Sequence, residues 1–131
     1  MSSFRGHEYE QYINKLFKGE DVSRQVSYCD IETKKYLYEV KGVMLYHEHN
    51  NNNCVSLGRY YIRIEEHKTL QIEALNKKKK AKYCFVLKIG QRYIFRTINW
   101  ITVEKLLQKT TKSCIRKTGE CVKFIRLQDI W

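Results

Sequence analysis

The sequence predicts a mixed α/β fold of the α+β kind, a central mixed sheet flanked by helices. One domain accounts for all 131 residues. Three observations predict this: apolar residues at helical spacing in two stretches, runs of β-branched and aromatic residues between turn signals, and the interleaving of the two along the chain.

Tyr9, Tyr12, Ile13, Leu16 and Phe17 share one face of a helix over residues 6–18, and Gly19 stands ready to end it. Val22, Val26 and Tyr28 alternate with Ser23, Gln25 and Ser27, the period of a half-buried strand. A polar stretch at 30–35 separates this run from a second strand at 36–43, and the two read as a hairpin with Asp30 at its tip. Four asparagines at 50–53 read as an exposed loop. A third strand follows at 59–64. Residues 65–80 then form a helix with acids at its start and lysines at its end, as the helix dipole favours. Strands at 83–89 and 92–98 surround the Gly90-Gln91 turn, before a short helix at 103–107 and a last strand at 122–127.

Twenty-five Lys and Arg against 14 Asp and Glu leave a net charge of +11, so the expected partner is a polyanion, nucleic acid first. Apolar and aromatic residues are too abundant for a disordered chain. Charged residues interrupt every apolar run, as Lys88 does at 83–89, which excludes a membrane-spanning helix. The first ten residues lack an apolar h-region, so the chain reads as cytoplasmic, or nuclear in a eukaryotic host. Five scattered cysteines without a CxxC pair read as reduced thiols. The absence of proline beside much Lys, Asn, Ile and Tyr reads as AT-rich coding bias.

The chemistry concentrates in the second strand. Glu39 and Lys41 share a strand face while Val40 turns away, and folding the hairpin brings Asp30 near Glu39. Two carboxylates at that range repel unless a cation lies between them, and hard oxygen donors with room for water suit Mg²⁺. Such an ion activates water and neutralises phosphate charge, which suits phosphodiester hydrolysis. Glu-x-Lys occurs three times, at 32–34, 39–41 and 66–68, and only the middle one lies in an apolar strand behind an Asp-led turn. The bland alternative has Asp30 capping a turn and Glu39 and Lys41 on an exposed strand face.

At these residues the chain resembles the PD-(D/E)XK nuclease superfamily, closest in layout to small archaeal-type Holliday-junction resolvases. Gly6-His7-Glu8-Tyr9-Glu10-Gln11-Tyr12-Ile13 is similar to their first helix, Gly-x-x-x-Glu-x-x-aliphatic. The resemblance spans roughly residues 6–98 and implies a restriction-endonuclease-like core. It implies Asp30 and Glu39 as ligands of Mg²⁺ or Mn²⁺, the Val40 carbonyl as a third, Lys41 as the catalytic lysine and Glu10 as an auxiliary acid. It points to Gln71 as a supporting polar residue in the following helix. Cys29 departs from the family, which carries proline before the aspartate. His7 resembles the helix histidine that joins the metal cluster in cap-snatching viral nucleases, where manganese is favoured.

The expected activity is a metal-dependent endonuclease cutting DNA, with branched or structured DNA as a candidate substrate. Lys77, Lys78, Lys79, Lys80 and Lys82, with Arg92 and Arg96, and Lys112, Arg116 and Lys117 beyond them, could track a nucleic-acid backbone. Tyr60 and Tyr93 are candidates for stacking on bases. Resolvases act as dimers because two strands need two sites, so a homodimer is expected, through residues 46–54 or 124–131. One alternative function is a non-catalytic, basic nucleic-acid-binding domain. Another is an RNA endonuclease, since residues 81–100 loosely resemble the end of tRNA-splicing endonuclease domains, which use neither metal nor Glu-x-Lys. His47, His49, Cys54 and His67 are residues a zinc site could use, at spacings that fit no familiar pattern.

Overall fold

The computed structural model describes residues 4–18, 20–21, 28–49, 54–110, 113–114 and 119–131. In chain order its elements are α1 (Phe4–Phe17), β1 (Glu20–Asp21), β2 (Ile31–Glu32), β3 (Tyr36–Met44), β4 (Tyr46–His49), β5 (Cys54–Leu57) and β6 (Arg59–Arg63). Then follow α2 (Ile64–Asn76), β7 (Lys80–Ile89), β8 (Arg92–Asn99), α3 (Trp100–Gln108), β9 (Ser113–Cys114), β10 (Cys121–Arg126) and α4 (Leu127–Ile130). Strands β1-β2-β3-β7-β8 form one sheet in that order, β3 and β7 parallel and the other neighbours antiparallel. Strands β6-β10-β9 form a small antiparallel sheet, and β4 pairs with β5. The class is mixed α/β, a mixed sheet flanked by helices.

Strand β7 is buried without a break from Tyr83 to Leu87, the continuous apolar run of a strand covered on both faces. Strand β3 alternates instead. Tyr38 and Val40 pack with Tyr9 and Ile13 of α1 on one face, together with Ile31, Cys84 and Val86. Leu37 and Val43 pack on the other, with Leu70 and Ala74 of α2 and Tyr60 and Ile62 of β6. Period two therefore turns Glu39 and Lys41 toward α2. Helix α1 approaches β3 so closely that a Cβ on Gly42 would lie 2.1 Å from the Tyr9 ring.

The predicted elements recur with shifted ends. Helix α1 stops before Gly19: Lys18 already adopts a left-handed conformation (φ 50°), and its amide donates to the Asn14 carbonyl at 3.0 Å. Helix α2 ends at Asn76, four residues short of the expected 80. Lys78 is left-handed (φ 57°) and the chain turns into β7, where Lys80 pairs with Tyr36. The lysine run is thus a turn and a strand start, not a helix end. Gly90 turns between β7 and β8 with φ 61°, as its position predicts. The expected strand at 22–28 lies outside the described residues except for Tyr28, and so do the asparagines at 50–53. Among the described residues no helix is long and apolar enough to cross a membrane.

Candidate active site

Asp30 is not at the hairpin tip. The turn lies at 33–35, closed by the Thr33 amide donating to the Tyr36 carbonyl at 2.9 Å and the Tyr36 amide to Thr33 Oγ1 at 3.1 Å. Ile31 pairs with Tyr38, so Asp30 falls opposite Glu39 in the arm of the hairpin. Its amide donates to the Tyr38 carbonyl at 2.9 Å, and its Oδ2 accepts from the Val40 amide, also at 2.9 Å. A side chain thereby replaces a rung of the ladder. The N–H and C=O of one strand residue leave from the same edge, so the Val40 carbonyl also points toward Asp30.

Glu39 lies beside Asp30, and both are largely buried. Burial holds the Glu39 carboxyl well above its ordinary pKa, aided by the Asp30 charge, a hydrogen bond with Asp30 and the charge of Glu66, against the pull of Lys41. Lys41 Nζ stands 3.6 Å from Glu39 Oε1 and 4.0 Å from Glu66 Oε2. Burial opposes its charge, yet Glu39, Glu66 and Asp30 together outweigh burial and hold the ammonium above its usual pKa. The bland alternative of an exposed face is therefore incorrect: this is a buried charge cluster, although Asp30 also braces β3. Asp30, Glu39 and the Val40 carbonyl are all hard oxygen donors, a set that fits Mg²⁺ or Mn²⁺ with water completing the shell.

Behind the cluster stands a second network. Tyr83 is the β7 neighbour of Glu39. Its hydroxyl lies 2.8 Å from His67 Nδ1, and His67 Nε2 lies 2.5 Å from Glu104 Oε2. Trp100 stacks on the His67 ring at 4.3 Å and donates its indole N–H to the His67 carbonyl at 2.8 Å. Burial lowers the His67 pKa despite Glu104, and burial followed by Glu39, Glu66, Glu104 and Asp30 raises that of Tyr83. A neutral ring that accepts from Tyr83 O–H and donates to Glu104 satisfies every partner.

The other predicted residues fall elsewhere. Glu10 is buried on α1, across β3 from Glu39 and Lys41, with His7 Nδ1 3.6 Å from its Oε2. On the helical wheel Tyr9 separates Glu10 from Tyr12; Tyr12 stacks on Tyr93 of β8, so Glu10 turns toward the β2 edge. Even so, no three His, Cys, Asp or Glu side chains gather as a metal-holding group among the described residues, so Glu10 is not brought together with Asp30 and Glu39. His7 Nε2 meets Gln11 Nε2 at 3.0 Å. Gln71 is about 140° round α2 from Glu66, and Glu66 is the residue of that helix that faces Lys41. Sequence reasoning passes over Glu66, whose Glu-x-Lys lies at a helix start, and over Tyr83 and Glu104, which carry no local signal. His67 is engaged in the core network rather than in a zinc site. Cys29, before Asp30, is a buried free thiol, its pKa pushed up to about 12 by burial and then by Glu32, Glu39 and Asp30.

The basic residues divide. Lys77 and Lys79 pair with Glu32 at 3.1 and 2.5 Å, and Lys82 lies over the Tyr36 ring at 4.4 Å. Lys78 and Lys80 are exposed, as is Arg92, while Arg96 donates to the Ile130 carbonyl at 2.6 Å. An open groove of about 680 Å³ lies beside the hairpin tip, lined by Lys18, Glu32, Lys34, Lys35, Tyr36 and Lys79. Lys112, Arg116 and Lys117 lie outside the described residues. Leu127 and Ile130, in the segment expected at an interface, are buried in this chain's own core.

In comparison with known proteins, no family model matches the chain and no curated protein matches it.

Proposed function

We propose that the chain is a metal-dependent endonuclease with a restriction-endonuclease-like core, hydrolysing phosphodiester bonds in DNA, with branched DNA as its target and a homodimer as its working form. The observation that carries this reading is the buried Asp30–Glu39 carboxylate pair with the Lys41 ammonium 3.6 Å from Glu39. Two carboxylates rarely share a buried space without a proton or a cation between them. The order α1, hairpin, α2, β7 supports the same core.

Asp30, Glu39 and the Val40 carbonyl would hold Mg²⁺ or Mn²⁺. A bound ion there supplies Lewis acidity, lowering the pKa of water and neutralising charge on a phosphate. Hydrolysis forms one P–O bond from water and breaks the one to the leaving deoxyribose oxygen. Lys41, whose ammonium stands beside Glu39 and Glu66, would face the phosphate as a cation. It offsets negative charge developing on the phosphate oxygens. Glu66 fixes the ammonium from the α2 side.

A cleavage panel tests this reading: duplex, nicked, flap, four-way-junction and single-stranded DNA, with matched RNA. Cutting should require Mg²⁺ or Mn²⁺, and Glu39→Ala should abolish it while nucleic-acid binding persists. Full activity without metal, or undiminished cutting by Glu39→Ala, overturns it.

A further inference from the structure

Neither tyrosine singled out for base stacking is available. Tyr60 is buried and donates its hydroxyl to the Val86 carbonyl at 2.9 Å, and Tyr93 is stacked on Tyr12. The neighbour, Tyr61, is 53% exposed. On β6 the residues at 59, 61 and 63 face solvent while Tyr60 and Ile62 fill the core.

Register sets Phe124 beside Tyr61 and Arg126 beside Arg59 on the same outer face. The Tyr61 and Phe124 rings meet edge to face at 4.7 Å, and the Arg59 guanidinium covers the Phe124 ring at 4.9 Å. Arg63 lies two residues, roughly 6.7 Å, further along β6. It is 3.3 Å from Glu66, whose other oxygen is 4.0 Å from Lys41. An aromatic surface with arginines at its rim thus leads along one strand to the charge cluster.

The exposed Tyr61 ring, buttressed by Phe124, offers a surface that any base can stack on, and Arg59 offers charge to a phosphate backbone. Arg63 pairs with Glu66 and Glu120, and Arg126 with Asp129. A second copy of this chain fits less well, because a contact here would bring together the arginine-bearing faces of two proteins that each carry a net charge of +11. We infer that Tyr61, Phe124 and Arg59 form a stacking platform for unpaired bases of a nucleic-acid strand whose backbone continues to Lys41. The inference rests on the nuclease reading and deepens it: the substrate carries unpaired bases beside the bond that is cut. A continuous duplex hides its base faces and cannot use the platform.

Anisotropy of fluorescein-labelled oligothymidylate, without divalent metal, tests it. Tyr61→Ala should weaken binding about tenfold, the effect of losing one stacked base. Tyr61→Phe, which keeps the ring, should bind as wild type, and a blunt duplex of two annealed strands, with no loop, should bind Tyr61→Ala and wild type alike. Oligouridylate should lose the same factor if RNA is equally accepted, and a loss confined to oligothymidylate assigns the platform to DNA. Unchanged oligonucleotide binding, or equal loss on duplex and single strand, overturns the platform. So does a wild-type dimer that Tyr61→Ala dissociates in sedimentation. Loss of binding in a protein that cuts nothing would leave the platform standing and remove only the nuclease reading.

Discussion

The Asp30 carboxylate accepts the Val40 amide proton at 2.9 Å, a side chain standing where the β2–β3 ladder would place a main-chain carbonyl. The strand carrying Glu39 and Lys41 is thereby fixed by a residue of their own cluster. Two substitutions separate the structural from the chemical part of this contact. Asp30→Asn keeps an oxygen acceptor for Val40 and removes the charge. Asp30→Ala removes both and leaves a buried amide unsatisfied, at a cost of about 1–3 kcal/mol. Denaturant unfolding should show a clear loss for Asp30→Ala and a smaller one for Asp30→Asn, while both lose metal-dependent cleavage. Equal stability losses would mean that the hydrogen bond contributes nothing beyond the charge.

Glu39 gives the metal-free protein a pH dependence of definite sign. Its pKa is raised in the fold, by burial first and then by Asp30, so the folded state binds more protons than the unfolded one. Stability therefore falls as pH rises from the ordinary carboxylate range through the raised value. Glu32 runs the other way: its hydrogen bond to Lys79 lowers its pKa, so its contribution is present above the ordinary value and is lost as pH falls. Unfolding between about pH 4 and pH 9 should show Glu39→Gln stabilised at neutral pH with its slope flattened. Glu32→Gln should be weakened there instead. Mg²⁺ competes with the same proton, so its affinity by calorimetry should rise with pH, with protons released on binding.

Strand β3 is legible in the sequence because Tyr-Leu-Tyr-Glu-Val-Lys-Gly combines strand formers with a period of two, and that period alone puts Glu39 and Lys41 on one face. Asp30 beside Glu39 follows from folding a hairpin, although the turn lies three residues later than Asp30 suggests. Glu66 is not legible, because its reach to Lys41 depends on how α2 docks across β3. The lysine run misleads for a related reason. Lysine favours a helix, but Lys80 pairs with Tyr36 in the sheet, and the turn at Lys78 overrides that preference. Tyr60 and Tyr61 are alike in type, and only the face of β6 distinguishes them; a slip of one residue exchanges core for solvent.

Gly42 should be intolerant of a methyl group. A Cβ there falls 2.1 Å from the Tyr9 ring, and its neighbours Lys41 and Val43 hold the strand between α1 and α2. Gly42→Ala should destabilise by about 1–3 kcal/mol, the usual range for overpacking a close contact. Tyr9→Leu should itself lose packing, yet it should recover part of the Gly42→Ala penalty in the double variant. Additive losses in that cycle would place the Gly42→Ala penalty somewhere other than the Tyr9 contact.

Tyr83 links the cluster to the network behind it, since it neighbours Glu39 on β7 and holds His67 Nδ1 at 2.8 Å. Tyr83→Phe keeps the ring and removes the hydroxyl, leaving His67 Nδ1 buried without its donor. The expected loss of stability is about 1–3 kcal/mol. Loosening the wall behind Glu39 should also slow cleavage, by about tenfold to a hundredfold, because small displacements of reacting groups carry large rate penalties. Tyr83 and His67 are both buried, out of reach of a bound strand, so kcat should fall while KM and the binding constant stay near wild type. Single-turnover kinetics on Tyr83→Phe and on Glu104→Gln, which retains a hydrogen-bond acceptor for His67, check this. Glu104→Gln should lie between Tyr83→Phe and wild type, and a KM effect in either variant would place the network in contact with substrate instead.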